Sequence, residues 1–300
     1  MTRLSSRSVD NNDRSASVGV GLRHSHYKDA LSGPSQIDFV EIHAENFFSR
    51  GSASLQLLEA IADKYPISLH STSMGLGSAS GINQDYLQKL DALIQRINPI
   101  LVSDHASFSW SEYQNRPVHA GDLLPLEFTE ESLDVMVENI DQVQQLLGRR
   151  ILVENLSAYV SYDTSRMSEV EFLTKVVERS QCGLLVDLNN ILVNAHNFQE
   201  GSALEFAKQW LNKLPLAAIG EIHLAGYSPV PSGELIIDDH SQAVSDEGWS
   251  LYQYALELLG PITTLVEWDN NLPEWQVLVG QAHKASRFIN SSLPKEEDDA

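Results

Sequence analysis

The chain has 300 residues, with 20 Lys+Arg against 41 Asp+Glu and a formal charge of −21 at pH 7. That balance repels phosphate backbones and anionic lipid surfaces, so neither nucleic acid nor a membrane is expected as a partner, although carboxylates gathered around cations would themselves inflate the excess. The single Cys182 excludes an internal disulfide and sits at the start of the apolar run CGLLVD, where it reads as a small buried hydrophobe.

In chain order, residues 1–17 are rich in Ser, Asn and Arg with almost nothing apolar, and read as a disordered tail rather than a signal peptide. Eight strand-like runs follow: SVGVGL (17–22), IDFVEIH (37–43), PISLH (66–70), ILVSDH (100–105), RILVE (150–154), GLLVDL (183–188), IGEIHL (219–224) and ITTLVEW (262–268). Helical i, i+3, i+4 patterns lie between them, as in Leu133, Met136, Val137, Ile140, Val143 and Leu147. Ser168 with Glu171 and Ser202 with Glu205 have capping-box spacing, and a last helix follows Pro273 to about Ile289. Residues 290–300 read as an acidic disordered tail. No segment approaches the roughly 18 apolar residues of a membrane span, so a soluble, cytoplasmic protein is expected. Alternating βα units with connections too long for hairpins predict parallel strands, and the simplest closure is one (β/α)8 TIM barrel over 18–289.

Six of the runs end in a potential metal ligand: His70, His105, Glu154, Asp187, His223 and Glu267. A barrel brings such ends around one mouth, whereas an open sheet strings them along a line. Adding Asn190, Asp238 and His240 from the following segments gives more donors than one ion uses, so at least two metals are implied. Imidazole and carboxylate without thiolate suit Fe, Mn or Zn. By strand parity Ser68, Ser103, Leu152, Leu185, Glu221 and Leu265 also face the lumen, Glu41 lies below His43, and Arg23 is a candidate partner for Glu41 and Glu221. Long connections after His105 and Leu224 are expected to shape a substrate pocket, with Trp110 on the first and Tyr227 on the second. A metal-free hydrolase using Glu154 and Glu267 would leave the histidines without a role. The glycine-rich GLGSASG at 75–81 has no Walker lysine and reads as a flexible loop.

The ordered motifs GVGLR, EIHAENF, SLH, SDH, DLLPLEFTEE, VEN, VDLNN, IHLAG and VEWD resemble the multinuclear non-heme iron-dependent oxidative enzymes, the former domain-of-unknown-function family 692, which includes the methanobactin oxazolone synthase. The resemblance covers about residues 18–285. It implies a xylose-isomerase-like barrel holding two or three irons, with Zn or Mn as alternatives. It also implies oxidation of cysteine residues in a ribosomally made precursor peptide, often with a separate peptide-recognition protein. On the family's mechanism, as the resemblance implies it, the cysteine sulfur would bind iron, dioxygen would be the oxidant, and a hydrogen would leave the carbon next to sulfur. Matching positions carry over His70, His105, Glu154, Asp187, Asn190, His223, Asp238, His240 and Glu267 as ligands. Arg23, His26, Glu41, His43, Glu45, Asn46, Asn155, Trp110 and Tyr227 would support them or meet substrate. Where the family pattern has aspartate, any residue, histidine, aspartate, histidine, this chain reads Asp238, Asp239, His240, Ser241, Gln242, which leaves the D-x-H core and alters the substrate edge. Asp238 is favoured over Asp239 because adjacent residues point apart. The competing reading is a Zn- or Mn-dependent sugar isomerase or endonuclease-type hydrolase on the same barrel, and a non-catalytic metal-dependent binding module is a third.

Overall fold

The computed structural model describes residues 16–33, 36–49, 51–198, 201–231 and 233–293, so most of both expected tails lies outside the described residues. Eight strands close into a parallel barrel: β1 (Val18–Gly21), β2 (Phe39–His43), β3 (Ile67–His70), β4 (Leu101–His105), β7 (Leu152–Glu154), β8 (Gly183–Asp187), β9 (Ile219–Leu224) and β10 (Thr264–Val266), with β10 pairing back onto β1. Each coincides with one of the eight apolar runs. Outside it pack α1 (Tyr27–Ser32), α2 (Ala53–Ala62), α3 (Gln84–Ile97), α4 (Glu130–Leu147), α5 (Glu169–Ser180), α6 (Leu188–Phe198), α7 (Ala203–Leu211), α8 (Asp246–Leu259) and α9 (Trp275–Ser292). None of the described helices is long and apolar enough to cross a membrane.

The local chemistry explains the helix starts. Ser52, Asn83, Thr129, Ser168, Ser202 and Ser245 each accept a backbone N–H of the first turn. Ser168 and Glu171 complete a reciprocal capping box. At Ser202 the side chain caps Glu205 N, while the Glu205 carboxylate pairs with Lys208 at 2.9 Å.

The lower lumen is filled by Leu101, Leu152 and Leu185, a small apolar cluster separate from the layer between strands and helices. Glycine is required beside it: a Cβ on Gly183 would lie 2.4 Å from the Leu152 side chain. Filling the floor closes the barrel below and leaves the polar strand ends at its upper mouth.

Four stretches differ from expectation. The connection after His105 is a hairpin, β5 (Ser107–Tyr113) against β6 (Arg116–Pro125), reversing at Gln114 and Asn115, whose φ values of 51° and 59° suit a two-residue turn matched to strand twist. The glycine-rich 75–81 segment is strapped down rather than flexible. Met74, Leu76 and Ser78 are fully buried, Asn139 donates to the carbonyls of Leu76 and Ser78, and Ser78 Oγ receives the N–H groups of Ser109 and Trp110. The motif VDLNN runs straight from β8 into α6, and α9 continues through Ser292.

Candidate metal centre

Strand register sets the ligand-type side chains level with one another. His105 on β4 pairs with Glu154 on β7, and Asp187 on β8 pairs with His223 on β9. Glu154 is the hub. Its Oε2 lies 3.4 Å from His70 Nε2 and 3.3 Å from His105 Nε2, and its Oε1 lies 3.8 Å from His223 Nδ1. Glu267, just past β10, places Oε2 3.3 Å from His223 Nδ1 and 3.2 Å from His240 Nδ1. His240 Nε2 reaches Asp238 at 2.8 Å and Asp187 at 3.9 Å. These sets overlap: His70, His105 and Glu154; Glu154, Asp187 and His223; and Asp187, His240 and Glu267 each bring their ligand atoms within 4.8 Å of one another.

Supporting bonds hold this arrangement. Asn155 accepts Asp187 N–H at 2.9 Å and donates to Asp187 O at 3.0 Å, joining the ends of β7 and β8. Asn190 N donates to Asp187 Oδ1 at 2.8 Å. Ser157 and Asn189 donate to Asp238 at 3.1 and 2.6 Å. Asp239 instead accepts from Ser228 N and Ser241 Oγ, so it turns away from the cluster.

Electrostatically the cluster is unresolved as a set of bare side chains. Burial lifts Glu154 to about 8 and Asp187 to about 6. Burial opposes charge on His105, yet Glu154, Asp104 and Glu267 together raise it to about 9. Burial and the neighbouring His105 push His70 well down. Buried Glu154 Oε2, Asp187 Oδ2, Asn190 Oδ1 and both His223 nitrogens make no hydrogen bond. Orphaned N and O donors converging from several strands fit divalent cations, which would displace protons and give each atom a partner.

The expected supporting residues find the following partners in the structure. Arg23 makes no hydrogen bond or ion pair with Glu41 or Glu221, although the Glu41 charge still acts on it. Its Nη2 binds Glu267 Oε1 at 2.8 Å and its Nε binds Asp269 Oδ1 at 2.6 Å, because residue 23 lies at the mouth while the two glutamates lie lower in the lumen. His43 joins Arg23 at 3.0 Å and Glu267 at 3.6 Å. Glu41 accepts from Ser68 at 3.1 Å, and neither Glu221 oxygen has a hydrogen-bond partner. His26 bonds the Pro273 carbonyl and packs near Trp275, which makes it an anchor for the chain entering α9. Glu45 accepts Thr72 N–H and Tyr86 O–H, Asn46 is exposed, Trp110 donates to Ser73 O, and the Tyr227 ring packs on His196. Asp269 was the residue missed. It pairs with Arg23 and lies 3.6 Å from His240 Nδ1, and its position two after Glu267 is the signal that would have found it.

Beside the centre lies a cavity of about 370 Å³ lined by Leu156, Val160, Tyr162, Ile191, Phe206 and Trp210 among others. Ala106, Leu156 and Ile191, which help line it, follow the ligand-type residues His105, Glu154 and Asn190 within two positions.

A closed parallel barrel with histidines and carboxylates gathered at the C-terminal ends of its strands is a (β/α)8 TIM barrel with a candidate metal centre. The chain belongs to the MbnB/TglH/ChrH family of RiPP precursor modification enzymes, whose model matches residues 17–290. A UPF0276 protein of Vibrio parahaemolyticus is 42% identical over 277 residues, spanning 91% of this chain and 92% of its own. One from Chromobacterium violaceum is 39% identical over 274 residues, covering 91% and 95%. Among solved structures, D-psicose 3-epimerase from Clostridium cellulolyticum aligns with a TM-score of 0.54 at 12% identity, covering 92% of this chain and 99% of its own. The IOLI protein with a zinc atom gives 0.56 at 12%, covering 92% and 99%. Endonuclease IV from Thermus thermophilus gives 0.53 at 13%, covering 92% and 100%. At these identities the structural likeness establishes the fold.

Proposed function

We propose that this chain is an O2-dependent oxidoreductase that holds two or three irons and modifies cysteine residues of a ribosomally made precursor peptide. The observation that carries the reading is the set of overlapping donor groups around Glu154, Asp187 and Glu267, too many for one cation, in a chain whose family modifies such precursors. The ligands would be His70, His105, Glu154, Asp187, Asn190, His223, Asp238, His240 and Glu267. Bound iron would supply a redox-active Lewis acid with high affinity for a thiolate.

The chain's own residues do the positioning. Arg23 engages Glu267 through Oε1, which leaves Oε2 facing His223 and His240. Asn155 locks the two strands that carry Glu154 and Asp187. The packed lumen floor below and the hairpin and 71–78 segment beside the mouth restrict access, so a peptide enters from the open face and presents one side chain at a time. A separate peptide-recognition protein delivers the substrate, and the reaction runs in the cytoplasm.

The test is metal content per chain on protein purified without added metal, with EPR or Mössbauer spectra before and after air, and mass spectrometry of cysteine-containing peptides incubated with it. Two or more irons that change oxidation state, with metal lost in His105→Ala and Glu154→Ala, are expected. Zinc or manganese alone, no redox response after iron reconstitution, and anaerobic turnover of a ketose or aldose would overturn the reading in favour of a sugar isomerase.

A further inference from the structure

His223 faces the opposite way from its neighbours. His70 places Nδ1 2.8 Å from Ser103 Oγ and turns Nε2 toward Glu154. His105 keeps Nδ1 on the side of Asp104, 3.7 Å away, and also turns Nε2 toward Glu154. In His223 it is Nδ1 that faces Glu154 and Glu267, while Nε2 points down the lumen to Glu41 Oε2 at 3.5 Å, with Glu221 Oε2 at 4.0 Å. Glu41 and Glu221 are fully buried, and Ser68 Oγ donates to the same Glu41 oxygen that faces His223.

We infer that Glu41 is a positioning residue that fixes His223 as an Nδ1 ligand, with the Nε2 proton held on the Glu41 carboxylate and the carboxylate held by Ser68. The inference rests on the metal-centre reading and deepens it. A histidine that binds metal through one nitrogen needs an acceptor for the proton on the other, and a carboxylate there sets both ring orientation and ligand basicity. Glu41 faces His223 across the lumen, with β1 and β10 intervening around the wall, so the acceptor comes from a barrel strand rather than from a loop. The opposite arrangement is a cation held by Glu41, His223 and Glu267, whose ligand-type atoms also lie within 4.8 Å of one another; it would put metal on His223 Nε2 and leave no proton there.

Full-length protein labelled with ¹⁵N-histidine and loaded with zinc separates the two by long-range ¹H–¹⁵N spectra, His223 being assigned against His223→Gln. The expected pattern is a metal-bound Nδ1 and protonated Nε2 for His223, reversed in His70 and His105. Glu41→Gln should weaken zinc binding roughly 10- to 100-fold with unchanged far-UV circular dichroism. Ser68→Ala, which leaves both partners in place, should shift the His223 Nε2–H signal. Zinc on His223 Nε2, or Glu41→Gln that leaves zinc affinity and the His223 signals unchanged, would overturn the inference. Wild-type protein that takes up no zinc, its histidine rings all free, would overturn the metal-centre reading and this inference with it.

Discussion

Glu169 opens α5 on the wall of the cavity beside the centre, where it is half-buried. Burial raises it from 4.5 to about 7, with the Trp210 indole N–H donating to Oε2 at 3.1 Å and working in the other direction. A carboxyl with a raised folded pKa is protonated in the folded chain while the unfolded chain has already ionised. Stability is therefore lost as pH rises from the unfolded value toward the folded one, and the loss is complete above about 7. At about 1.36 kcal/mol per pH unit the full penalty is roughly 3 kcal/mol, of which about 2.5 kcal/mol develops between about pH 5 and pH 8. Glu169→Gln keeps the shape and an acceptor for Trp210 and removes the ionisation. Urea unfolding of metal-stripped wild type and variant at the two pH values isolates the effect. The variant should gain about 2.5 kcal/mol on the wild type over that interval. Parallel pH dependence of the two proteins would refute the claim that this cavity wall keeps its carboxyl neutral.

Other outcomes follow from the same structure. Arg23→Leu leaves Glu267 and Asp269 without their shared cation and should cost about 3 kcal/mol in urea unfolding, with a parallel loss of bound metal measured by mass spectrometry of the purified protein. Gly75→Val should destabilise by about 2 kcal/mol, because φ is +66° and the new Cβ would lie 2.6 Å from Ser78 Oγ and 2.9 Å from the Trp110 ring; unchanged stability would show that the strapped segment is free to shift. Free zinc at about a hundredfold excess over its dissociation constant should add about 2.7 kcal/mol per occupied site, reversed by chelator, in thermal or urea unfolding.

All eight barrel strands were legible in the sequence because a strand buried on both faces is a short, nearly continuous apolar run, and a polar residue at its end has to leave the core. The same logic placed the donors at strands three to eight, since a closed barrel gives every strand end the same mouth. Helix starts were legible at Ser168 and Ser202, where a serine cap preceded a periodic stretch. The β5–β6 hairpin was hidden by its unremarkable Gln-Asn turn, and α6 by its immediate fusion to the end of β8.

What only the tertiary structure decided was which groups meet. Period-two parity placed Glu41, Glu221 and Arg23 in one lumen, but height along the barrel axis depends on strand stagger, and that separated Arg23 from both glutamates and gave it to Glu267 and Asp269. The glycines at 75–81 looked like freedom, yet close approach to Ser78, Trp110 and Leu126 makes Gly75 and Gly77 a requirement of packing. Which ring nitrogen of His223 faces the carboxylate hub was likewise invisible in one dimension. Residue types and their period follow from local chemistry, whereas partner, distance and ring orientation arise only when strands far apart in the chain are brought to a common depth.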